Sequence, residues 1–313
     1  MTVYRPPSEP VESVRTLLAE HLSHPIEELR QLPGGEISQT FSFDTAGRGY
    51  ILKLNHDKMD ANFEKEAFVS REFSSDVVPI PEVVAFGRHE HLHFIVLERA
   101  SGTPMDQLPA EELPAAVPAL IETLAAIHST DVSRFEGHGL FDGDGRGFFE
   151  SWRSNLEFVR EEERDGGFYG KWHTLFDETF LEREVFDSVF ATMMGLADDC
   201  PEDRWLVHGD FGFGNLLVEG DRVTAVIDWL EAKFADFVYD IAWLDFWAPG
   251  TGMADRIARD YAARGIEVPE FAERLRCYQS YIGLDAMRFF AKSDQEGSYR
   301  FARDRILSLL GAD

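Results

Sequence analysis

The chain is short of what would tie it to an oxidising compartment, a bilayer or a nucleic acid. It has two cysteines, Cys200 and Cys277, without paired spacing, which argues against a disulfide framework or a zinc cluster. No apolar run reaches the roughly 18–20 residues of a membrane span. The opening stretch Met1-Thr2-Val3-Tyr4-Arg5-Pro6-Pro7 has no apolar signal core. Positive charge is scarce: 30 Lys and Arg stand against 57 Asp and Glu, a formal net charge of −27. Such an excess argues against nucleic acid and anionic membrane as partners and suits a polycationic small ligand. Solubility or adaptation to salt is the plainer source of most of it, since most charges lie on solvated faces. The sequence reads accordingly as a cytoplasmic monomer. The Walker pattern is also missing, which removes the P-loop class.

What is present is length for two lobes, with 44 % apolar and 28 % charged residues among 313. Apolar spacing from Val11 to Leu22 predicts a helix. Strands are expected at 29–32, 39–43, 50–54, 83–86 and 93–97, with a hairpin turn at Ala46-Gly47-Arg48-Gly49 and one helix at 60–73. Residues 1–98 thus read as a small, mainly antiparallel lobe. Glu98-Arg99-Ala100-Ser101-Gly102-Thr103-Pro104 is a polar connector, expected to be the hinge. Residues 99–313 turn helical, with helices expected at 113–127, 148–164, 181–197 and through 236–311. Two short strands are expected around Glu219-Gly220-Asp221. The Gly- and Asp-rich stretch 137–147 reads as a mobile surface loop.

The chemistry concentrates in Leu206-Val207-His208-Gly209-Asp210-Phe211-Gly212-Phe213-Gly214-Asn215 and in Ala225-Val226-Ile227-Asp228-Trp229. Taken singly, Asp210 and Asn215 are adequate turn residues. Asp228 closes an apolar strand, so it must be paired or face a cleft. In Tyr50-Ile51-Leu52-Lys53-Leu54 period two puts Lys53 on the face opposite Leu52, where it needs an anion. Three- and four-residue spacing turns Glu66 inward on the helix after it and Glu64 outward, so Lys53 and Glu66 form the natural pair. Gly34 to Thr40 is a flexible turn whose N–H groups and Ser38 can cover phosphates. The order of Gly-rich turn, strand Lys, helix Glu, hinge, H-G-D-x-x-x-x-N and I-D-W is that of the protein-kinase site, where the loop reads H-R-D-x-x-x-x-N. Here Gly209 replaces the Arg, and no peptide-docking segment fits between Asn215 and Asp228. The acceptor is therefore expected to be small. His208 and His128 are expected to be structural.

The chain resembles the aminoglycoside phosphotransferase family, whose catalytic loop reads H-G/A-D-x-x-x-x-N with a later I-D-W/F. Besides the loop, the similar stretches include Pro79-Ile80-Pro81-Glu82-Val83, Asp199-Cys200-Pro201-Glu202 and Ile282-Gly283-Leu284-Asp285. They extend from about residue 30 to about 290 and point toward members acting on hygromycin B. The resemblance implies an α+β, bilobal kinase-like fold and an ATP-dependent O-phosphotransferase acting on an aminoglycoside or aminocyclitol, giving antibiotic resistance. It implies ATP under residues 34–38 with adenine at the hinge near Glu98 and Ala100. Asp210 would be the base or acceptor-orienting group, with Asn215 and Asp228 as magnesium ligands. A cationic, hydroxyl-rich acceptor calls for acids and aromatic surface, for which Glu231, Asp236, Trp247 and Asp285 are the candidates. Two rival readings stand beside this one. One is a metabolic kinase of the same fold, acting on a sugar, an amino alcohol or a macrolide. The other is a nucleotide-binding regulatory module without catalysis.

Overall fold

The computed structural model describes residues 6–35, 37–56, 63–162 and 168–311. Helix α1 (Val11–His21) and strands β1 (Glu27–Gln31), β2 (Gln39–Thr45) and β3 (Arg48–His56) come first. Helix α2 (Glu64–Phe73) and strands β4 (Val83–His89) and β5 (Leu92–Glu98) complete a five-stranded antiparallel sheet of order β1-β2-β3-β5-β4. The β2–β3 turn is Ala46-Gly47 alone, both left-handed at φ 51° and 74°, which matches strand twist in a two-residue hairpin. Arg48 and Gly49 belong to the strand. The start of the helix expected at 60–73 lies outside the described residues; the rest is α2. Period-two alternation holds in β3: Tyr50, Leu52 and Leu54 pack with Val14, Leu17 and Leu18 of α1, while Lys53 faces the other side.

The chain then runs through β6 (Thr103–Pro104), α3 (Leu113–His128), β7 (His138–Phe141), β8 (Gly147–Phe149), α4 (Trp152–Phe158), α5 (Leu175–Glu178) and α6 (Arg183–Leu196). After these come β9 (Trp205–Val207), β10 (Leu216–Glu219), β11 (Arg222–Val226), β12 (Lys233–Ala235), α7 (Val238–Trp247), α8 (Met253–Ala263), α9 (Phe271–Lys292) and α10 (Glu296–Leu310). Two small antiparallel sheets, β11-β10-β6 and β8-β7-β12-β9, frame the catalytic loop. The stretch expected to be a mobile loop is instead the β7–β8 hairpin. The Asp142 carboxylate accepts from the Asp144 and Arg146 N–H groups to close its turn, and β7 pairs with β12. The helix expected from Phe148 begins only at Trp152, because Ser151 and Ser154 form a reciprocal cap there.

Packing crosses the division drawn at 98/99. Phe68, Val69, Phe73, Val78 and Ile80 join the large core of the helical part, whereas the five-stranded sheet has its own core with α1. Val226 N–H donates to Pro79 O at 2.8 Å, fixing this segment to β11. Ser70 Oγ donates to Pro81 O at 2.8 Å. Helix α2 is therefore anchored below the cleft while presenting Glu66 to a strand above it. Among the described residues no helix is long and apolar enough to cross a membrane.

Candidate active site

Strand β9 delivers His208, Gly209 and Asp210 to the cleft. The loop is gripped from behind by Asp240 of α7, fully buried, whose carboxylate accepts the His208 and Gly209 N–H groups at 2.8 Å each. His128 lies 3.2 Å from Asp240 and 2.8 Å from the Tyr261 hydroxyl. The His208 ring stands 2.9 Å from Ile227 O through Nε2 and takes the Asp210 N–H on Nδ1 at 3.2 Å, which fits a neutral ring. Burial pushes its pKa down. Both rings are held by hydrogen bonds within the protein. Gly209 has φ 82°, and a Cβ there would sit 1.9 Å from Glu231 O. That close approach explains why this loop carries glycine where protein kinases carry arginine.

Asn215 Nδ2 donates to Asp210 O at 2.8 Å and to its Oδ2 at 3.0 Å. Desolvation in the cleft pushes the Asp210 carboxyl up to about 7, with the charge of Asp228 adding to it and the Asn215 hydrogen bond opposing. Asp228, two residues past β11, is in a left-handed conformation, φ 67° and ψ 64°, uncommon for a residue with a side chain. Its neighbour Ile227 donates to Asn215 O at 3.0 Å, so the two candidate oxygen ligands are set by one backbone contact. Lys53 Nζ lies 2.9 Å from Glu66 Oε1 and 3.4 Å from Asp228 Oδ1. Burial lowers the Lys53 pKa, but Asp228 and Glu66 outweigh it and hold the ammonium above the usual lysine range. Glu66 is pushed up by burial and drawn back by Lys53. The expected Lys53–Glu66 pair is thus present, and it touches the Asp228 end of the loop.

The four acceptor-side candidates separate. Glu231 has a side chain 51 % exposed and pairs with Lys233 at 3.0 Å; Lys233 holds its carboxyl below the usual range. Asp285 pairs with Arg288 at 2.7 Å, accepts the Tyr169 hydroxyl at 3.1 Å and stays 38 % exposed. The Tyr239 and Tyr281 rings stand 6.0 Å apart, and both hydroxyls are raised by burial first and by the charges of Asp285 and Glu231 after it. Asp236 does not belong there. It is fully buried, paired with Arg274 and bonded by the Tyr278 hydroxyl at 2.6 Å, so it is a core anchor rather than a substrate contact. Trp247 stands at the C-terminal end of α7, its ring packed among Trp243, Phe246, Phe290 and Phe301. Sequence reasoning missed Tyr281, though it stands four residues before Asp285 and so on the same helical face. It also missed Lys65 and Lys233. Ser38 follows Gly34 and Gly35, both at positive φ. At the hinge the Glu98 N–H is taken by Glu82 O and that of Arg99 by Gly49 O, leaving the Ala100 N–H without a partner among the described residues.

A family model described as the phosphotransferase enzyme family matches residues 28–274. Hygromycin-B 4-O-kinase of Escherichia coli is 38 % identical over 278 residues, covering 88 % of this chain and 78 % of its own. The crystal structure of aminoglycoside phosphotransferase APH(4)-Ia superposes with a TM-score of 0.83 at 33 % identity, over 97 % of this chain and 99 % of that one. A ternary complex of its thermostable mutant with AMP-PNP and hygromycin B gives 0.81 at 34 % identity, over 96 % and 98 %. The fold is the bilobal kinase-like α+β fold expected from the sequence. The chain belongs to this phosphotransferase enzyme family and is an ATP-dependent small-molecule kinase.

Proposed function

We propose that the enzyme transfers the γ-phosphoryl group of ATP to a hydroxyl of an aminoglycoside or aminocyclitol, with hygromycin B as the first acceptor to test. The carrying observation is that Lys53, gripped by Glu66, reaches Asp228, while the loop that presents Asp210 meets at Gly209 the turn that carries the half-exposed Glu231. The 38 % identity to a hygromycin-B kinase supports the choice of acceptor. An anionic wall with tyrosine hydroxyls suits a polycation rich in hydroxyls. It offers little to a neutral sugar.

The division of labour follows from the geometry. The Gly34–Ser38 turn covers phosphates, and the hinge offers adenine the Ala100 N–H beside Glu98, where a lobe of residues 1–98 meets one of 99–313. Lys53, held protonated by Glu66, balances phosphate charge. Asn215 turns its Nδ2 to Asp210, which directs Oδ1 away from it, and Asp228 is 44 % exposed, so the pair offers the hard oxygen ligands magnesium requires. Asn215 and Asp228 would hold a magnesium ion there, which would neutralise charge on the phosphate oxygens. Asp210 orients the acceptor hydroxyl and receives its proton as the phosphoryl group leaves ATP. Most of the rate effect is positioning and charge stabilisation, with little covalent chemistry for the protein. The enzyme is expected to work as a cytoplasmic monomer.

The test is a coupled ATP-turnover screen over aminoglycosides, neutral sugars, amino alcohols and macrolides, with mass spectrometry of products. Hygromycin B gaining one phosphoryl group supports the reading. Turnover confined to neutral sugars would move the assignment to a metabolic kinase, and magnesium-dependent ATP binding without any turnover would favour a regulatory module.

A further inference from the structure

Beside Glu66 on α2 stands a second charged group that the mechanism does not use. Lys65 is 8 % exposed, and its ammonium donates to Ala232 O at 3.3 Å and lies 5.4 Å above the Phe141 ring. Ala232 follows the Trp229–Glu231 turn. The catalytic loop also meets that turn at Gly209, the close approach described above. Lys233, on the same segment, donates to the Glu231 carbonyl and carboxylate at 3.0 Å each. Two adjacent residues of one helix thus set the two sides of the site. Glu66 holds Lys53 toward the nucleotide, and Lys65 holds the turn that carries Glu231 toward the acceptor.

We infer that Lys65 is a positioning residue for the acceptor side, fixing the 229–233 turn so that Glu231 meets the acceptor in register with the nucleotide grip. The inference rests on the acceptor reading given above. Stability alone does not account for a lysine here. Burial pushes its ammonium down to about 7, with Glu231 opposing that shift. A lysine with a folded pKa below its unfolded one penalises the fold fully below about 7, and the penalty fades only as pH rises toward the unfolded value. An apolar side chain of similar length would relieve that cost but lose the bond to Ala232.

The experiment compares the parent, Lys65→Met, Glu231→Gln and the double variant. Lys65→Met is expected to unfold at pH 7 no lower than the parent, keep its KM for ATP within about twofold and raise the KM for hygromycin B about tenfold, as for one hydrogen bond from a charged group. In the Glu231→Gln background the same substitution is expected to change that KM by less than about threefold, because the group it positions is gone. An unchanged acceptor KM, an equal rise in both KM values, or a tenfold effect undiminished in Glu231→Gln would each overturn the inference. Hydrogen exchange reads the pinning without turnover. Amides of 229–232 should exchange faster in Lys65→Met while those of the β10–β11 pair do not, and equal exchange at 229–232 overturns the inference. If Lys65→Met proves unfolded, Lys65→Gln, with an arm one bond shorter, takes its place in both measurements. A parent that leaves hygromycin B unphosphorylated defeats the substrate reading, while the exchange result still decides the role of Lys65.

Discussion

The catalytic loop has two faces, and the acids on them are treated in opposite ways. Behind the loop, Asp240 and Asp236 are fully buried and held by the protein itself: two backbone N–H groups and His128 for one, Arg274, Tyr278 and the Val238 N–H for the other. In front, Asp228 is 44 % exposed in a left-handed conformation, and Asp210 is driven toward its neutral form by burial and by Asp228. The rear acids are satisfied by partners already present. The front acids are left to be satisfied by a ligand, a cation or a transferred proton. Exposure and completeness of pairing, not residue type, therefore separate scaffold from chemistry.

The comparison can be broken at the back first. Asp236→Ala would strand a buried guanidinium and is expected to cost about 3–5 kcal/mol in denaturant unfolding, the usual penalty for removing one partner of a buried pair. Turnover per folded molecule should stay within several-fold of the parent. A stable variant with a selectively raised acceptor KM would return Asp236 to the substrate site.

A smaller effect sharpens the front. With its carboxyl near 7, Asp210 is protonated below that pH and cannot receive the hydroxyl proton. The kcat/KM for the acceptor, which reports ionisations of the free enzyme, should fall about tenfold per pH unit below roughly 7 and level off above it. A profile flat from pH 5 to 8 would separate Asp210 from the proton.

How much of this was legible in the sequence depended on the distance between partners. Asp210 and Asn215 are five residues apart and joined by local bonds, so their spacing alone pointed to one site. Lys53 and Glu66 could be paired because strand and helix periods fix which way each faces. The role of Asp236 was hidden because its partner Arg274 is 38 positions away, and an acid near a helix start reads the same whether buried or solvated. Lys65 was hidden more completely, since its partner Ala232 lies 167 positions on. The β7–β8 hairpin reads as a loop in sequence because glycine and aspartate serve tight turns and loops alike. What decides between them is the pairing of β7 with β12, which leaves no local mark.

The central claim, that the front acids trade stability for chemistry, is tested most directly by Asp210→Asn at pH 8. A carboxyl whose folded pKa is raised stabilises the fold only at low pH, and that contribution is lost as pH rises through the folded value. At pH 8 the asparagine should thus leave the thermal midpoint unchanged or higher, with ATP binding retained. Turnover of the aminoglycoside should fall at least about a hundredfold, the low end for an acid–base group. Near-parental turnover, or a lowered midpoint with turnover lost only in proportion to unfolding, would contradict the account.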